Sequence, residues 1–215
     1  MEKYLSIGTN NLDKMYFEPI KNFGTFKPIC GLWATKQDIN NLNYNEWLEY
    51  LINKNRATFS IKYSRYNYNI PAVLFSLKKD SKIYYVKTIN DLQVLMQRFP
   101  ILNEFRMRPY KKLQSSNCID YEKLSIFFDG IYFDITSLEK QCNRNETLKQ
   151  IIDNLSVNTL ILFNLNCILY YQPVSINVTP FLSKESISYQ IIIDDNKKFV
   201  SESRYDFQIS LTRHK

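Results

Sequence analysis

Few residues in this chain have the type and spacing that catalysis usually needs. The only histidine is His214, beside the C-terminal Lys215. Terminal residues are usually poorly fixed, so Ser-His or Cys-His nucleophilic machinery and histidine metal sites are not expected. The cysteines, Cys30, Cys118, Cys142 and Cys167, are widely separated and form no Cys-x-x-Cys pair, which argues against a zinc site. In a reducing compartment they read as free thiols used for packing. Only 4 glycines occur, and neither G-x-G-x-x-G nor G-x-x-x-x-G-K-[ST] is present, so these nucleotide-binding loops are disfavoured. The carboxylates form no motif specific enough to nominate an acid–base pair.

Two basic–aromatic stretches remain. "KYSRYNYN" interleaves Lys62 and Arg65 with tyrosines, and "FRMRPYKK" groups Arg106, Arg108, Lys111 and Lys112 around Tyr110. Basic side chains neutralise phosphates and tyrosine rings stack on bases, so both stretches are candidates for single-stranded nucleic acid. A solvated strand edge or loop would give the same letters. The stretch "KPICGLWATK" is the other unusual feature, with Trp33, one of 2 tryptophans, set just behind Cys30 and Gly31. By itself it reads as a short buried strand whose tryptophan fills the core.

The elements that must position these residues are legible from hydrophobic period. With 215 residues, 45% hydrophobic and 23% charged, the chain suits a globular protein of one domain or one domain with an appendage. A net charge of +7 and a pI near 9.1 favour acidic partners, but the positive charges are spread out as on an ordinary lysine-rich surface. No apolar run approaches the roughly 18–20 residues of a membrane span, and the N-terminus lacks signal-peptide character. A cytoplasmic location without a membrane partner is expected. The Asn-x-Ser/Thr matches at Asn145, Asn154 and Asn177 then read as accidents of an Asn-rich composition.

Strands are predicted at "KYLSIGT", "PICGLWAT", "ATFSIKY", "IPAVLFSL", "KIYYVKT", "GIYFDI" and "NTLILFNL", the last the most hydrophobic and central. Helices are predicted at "NYNEWLEYLINK", with Trp47 as core anchor, and at "TINDLQVLMQRF", with a capping-box start at Thr88 and Asp91. Further helices are "IDYEKLSIFF" behind an Asp120 cap, "TSLEK" with a second capping box at Thr136 and Glu139, and "NETLKQIIDNL". After Pro173 the chain turns β-like. The expected architecture is α+β over residues 1–170, with residues 171–215 as a β-hairpin-rich appendage packed on it.

The order of seven pieces, "YLSIGTN", "FEPIKN", "KPICGLWAT", "YNEWLEYL", "YYVKTINDL", "IDYEKL" and "NTLILFNLN", resembles that of a group of microbial and phage proteins similar to the ADP-ribosyltransferase fold. The resemblance covers about residues 4–170. It implies a split mixed β-sheet with flanking helices, gripping NAD in a central cleft; no metal is expected, given the cysteine and histidine content. It places Ser6, Gly8 and Thr9 at the position of a ribose-binding histidine motif. Trp33 and Thr35 fall on the strand that packs against nicotinamide. Asn158 falls at the acidic position that stabilises the oxocarbenium-like transition state.

Asn158 carries no charge with which to favour that cation. The resemblance therefore implies degenerate or lost transfer chemistry and a binding role. A register error of several residues would instead bring Asp153 or Asp129 to the acidic position. If active, the chain would be an NAD-dependent ADP-ribosyltransferase. Two alternatives stand beside this: a non-enzymatic assembly protein whose tyrosines and β-rich tail meet a protein partner, and a basic nucleic-acid-binding protein.

Overall fold

The computed structural model describes residues 2–13, 17–22, 27–42, 44–54, 68–101, 119–141, 146–180 and 187–193. Strands and helices are mixed, as an α+β reading requires. The chain forms two compact units. One comprises Met1–Leu12, Gln37–Leu77 and Ile168–Lys215, and the other Asp13–Lys36 and Lys78–Cys167.

Among the described residues, the first unit is an antiparallel sheet with one helix. Its strands are β1 (Lys3–Ile7), β3 (Tyr68–Leu77), β7 (Ile168–Pro180) and β8 (Ile187–Ile193), paired in the order β1-β3-β7-β8. Side chains alternate across the sheet. One face carries Leu5, Ala72, Leu74, Val174, Ile176 and Ile191, which form a core with Leu48 of helix α1 (Glu46–Lys54). Leu48 is fully buried, whereas Trp47 is only partly so. The expected tryptophan anchor is therefore replaced by its smaller neighbour, because the helix turns Leu48 toward the sheet. Asn45 caps α1, its Oδ1 accepting the Trp47 and Leu48 N–H groups at 3.1 and 3.3 Å.

Strand β7 bears on the domain boundary expected at residue 170. It begins at Ile168 and pairs with β3 from Tyr68 through Leu77. Residues 168–180 are thus an internal part of the first unit's sheet, held by a full antiparallel ladder. Compactness divides the chain after residues 12, 36, 77 and 167.

The second unit holds β2 (Leu32–Gln37, Gln37 itself falling in the first unit), β4 (Ile83–Val86), β5 (Gly130–Phe133) and β6 (Thr159–Leu162). Strands β4 and β5 are parallel, while β5–β6 and β6–β2 are antiparallel, giving the order β4-β5-β6-β2. As expected from its composition, β6 lies inside this sheet and all four of its residues are buried. Among the described residues four helices accompany it: α2 (Ile89–Arg98), α3 (Tyr121–Leu124), α4 (Ile135–Gln141) and α5 (Glu146–Leu155). Leu92, Leu95, Leu124, Leu138 and Ile152 from the helices share a core with Val86, Ile131, Phe133 and Ile161 from the strands.

The helix starts follow local chemistry. Thr88 and Asp91 form the predicted reciprocal capping box of α2. Burial alone would raise the Asp91 carboxyl, but N–H groups of Lys87 and Thr88 bonded to its carboxylate bring it below its usual range. Asp120 caps α3 as predicted. The second predicted capping box does not form. Helix α4 starts at Ile135, and Asp134 accepts the Ser137 N–H at 3.0 Å. Ile135 and Leu138 are both buried, so packing sets the start ahead of Thr136, and Glu139 faces solvent. The predicted strand "ATFSIKY" lies outside the described residues.

Candidate functional site

The residues nominated from the sequence divide between the units. Ser6, Gly8 and Thr9 belong to the first, and Trp33, Thr35 and Asn158 to the second. In the first unit Ser6 is buried on β1 opposite Val73. Gly8 ends the strand at φ 103°, with its N–H donating to the Pro71 carbonyl at 2.8 Å. The Thr9 hydroxyl closes a local turn, donating to the Asn11 carbonyl at 2.8 Å and accepting the Asn11 N–H.

In the second unit a left-handed turn at Cys30 (φ 64°) and Gly31 (φ 69°) leads into β2. Trp33 lies opposite Ile161 of β6 and packs at the edge of the core. Its indole Nε1–H donates to the Cys30 carbonyl at 2.9 Å, and Lys27 Nζ sits 5.3 Å from its ring. Thr35 is buried. The Cys30 thiol donates to Glu18 at 3.1 Å, and that bond raises its pKa. Burial pushes the Cys167 thiol up to about 12, so neither cysteine is a ready thiolate.

Asn158 precedes β6 and has a structural task. Its Oδ1 accepts the Thr136 N–H at 3.1 Å, and its Nδ2 donates to Thr136 Oγ1 at 3.2 Å. The Thr136 amide is one of the free donors at the start of α4, so Asn158 completes the cap begun by Asp134. The two alternative carboxylates are placed differently. Asp129 accepts the Lys82 N–H at 2.8 Å and the Asn164 amide at 2.9 Å, tying two loops to the start of β5. Asp153 is exposed on α5.

Lys62, Arg65, Arg106, Arg108, Lys111 and Lys112, the candidates for nucleic acid, lie outside the described residues. A basic–aromatic cluster not expected from the sequence does occur on β2, β4 and β5 and at Lys87, just past β4. Tyr85 and Tyr132 rings lie 5.7 Å apart, Lys36 Nζ is 5.1 Å from the Tyr132 ring, and Lys87 Nζ is 5.3 Å from the Tyr85 ring. Its only sequence trace is the alternation of "KIYYVK". No helix among the described residues is long and apolar enough to cross a membrane. Nor do the described residues group three or more His, Cys, Asp or Glu side chains as metal ligands.

Comparison of the chain with protein-family models, with curated proteins and with solved structures finds no match.

Proposed function

We propose that this protein is an ADP-ribosyltransferase-like binding protein that has lost transfer chemistry. The observation that carries this reading is the state of Asn158. At the position where the resemblance calls for a carboxylate, this side chain is neutral, and its oxygen and nitrogen both bond to Thr136. A neutral amide aimed at a helix start does not supply the negative charge that an oxocarbenium-like transition state needs. Trp33 fits the same reading, because its indole N–H is spent on the Cys30 carbonyl while its ring stays partly exposed. An aromatic face of this kind serves contact with a ligand better than chemistry on it.

Incubation of the full chain with labelled NAD and a cell extract, beside Asn158→Glu, tests the proposal. No label transfer by the native chain together with transfer by the variant is the expected result. Transfer by the native chain would show that catalysis survives. Absence of transfer by both, with no saturable NAD binding in a calorimetric titration, would remove the NAD-cleft reading.

A further inference from the structure

We draw no further inference here: the strongest candidate, the exposed apolar patch that Ile126 and Phe127 form on the turn after α3, where the Phe127 ring packs on Phe99, carries none because nothing in the structure shows what covers it.

Discussion

Asn158 and Thr136 are joined by two hydrogen bonds, one to the Thr136 N–H at 3.1 Å and one to its hydroxyl at 3.2 Å. The pair links the residue before β6 to the first turn of α4, across 22 positions of sequence. It divides the capping of α4 between a local residue, Asp134, which takes the Ser137 N–H, and a distant one. A side chain that would be read from sequence as a vestige of catalysis is therefore also a structural clamp.

Replacing that clamp separates the two roles. Asn158→Ala should lower stability by about 1 kcal/mol, the usual cost of a lost N-terminal cap. Asn158→Asp keeps an acceptor for the Thr136 N–H and puts negative charge at a helix start, where it is favourable. It should therefore unfold within a few tenths of a kcal/mol of the native chain. Urea denaturation followed by circular dichroism measures both. Equal, large losses in the two variants would show that the amide nitrogen, not the oxygen, carries the contact.

Local chemistry was the legible part of this fold. The Thr88–Asp91 capping box and the Asp120 cap depend on residues three apart, and both form as read. The box at Thr136 and Glu139 has the same local signature, yet it yields to the burial of Ile135 and Leu138, a tertiary term that spacing does not report. Trp47 and Leu48 show the same limit. The helical period marks both as candidates for the buried face, and only packing decides that Leu48 takes it. The central position of β6 was legible because a strand covered on both faces must be apolar throughout. The contact of Lys3 with the Tyr170 ring left no trace in the sequence, since strand register brings together two residues far apart in the chain.

A second long-range contact went unread for the same reason. Asn22 donates its amide to Asp120 and accepts the Tyr121 N–H, both at 2.8 Å, and its own N–H reaches Glu122. It thereby fastens the "FEPIKN" turn to the start of α3. Asn22→Ala should cost about 1–3 kcal/mol, because it strands the Tyr121 N–H and removes a partner from Asp120. Asn22→Asp should also destabilise the protein at pH 7, since two carboxylates then meet where an amide met one. Thermal unfolding of both variants at pH 7 checks the direction.

Gly31 opens the strand that carries Trp33. Its φ of 69° is one that residues with a Cβ rarely adopt, and an added Cβ would stand 2.8 Å from the Leu162 carbonyl oxygen and 3.0 Å from Ile20 Cδ1. Both backbone strain and a clash with the neighbouring strand oppose a side chain there. Gly31→Ala should destabilise the protein by about 2 kcal/mol or more. Gly8 also has a positive φ but has nothing within 4 Å of an added Cβ, so Gly8→Ala should cost only the backbone term, near 1 kcal/mol. A midpoint shift no larger for Gly31→Ala than for Gly8→Ala would contradict the close approach of β2 to β6.

Lys3 gives a pH dependence with a definite sign. Burial lowers its pKa from 10.5 to about 8. Below about pH 8 the ammonium is protonated in both folded and unfolded chains, and its burial cost is present in full. Between pH 8 and 10.5 the unfolded chain holds more protons than the folded one, so this residue's contribution makes stability rise with pH. Above 10.5 the lysine is neutral in both states and the cost is gone. Lys3→Met removes the charge at every pH while keeping most of the side-chain volume. It also gives up the contact between the ammonium and the Tyr170 ring, which offsets part of the gain. The variant should therefore be more stable than the native chain at pH 7, by about 1 kcal/mol, and the difference should shrink steadily from pH 8 to 10.5. Other titrating groups are common to both proteins and largely cancel in the difference. Paired denaturant titrations, one pH unit apart, measure it. A difference that stays constant with pH would mean that Lys3 titrates at its ordinary value and that its ammonium remains hydrated in the folded chain.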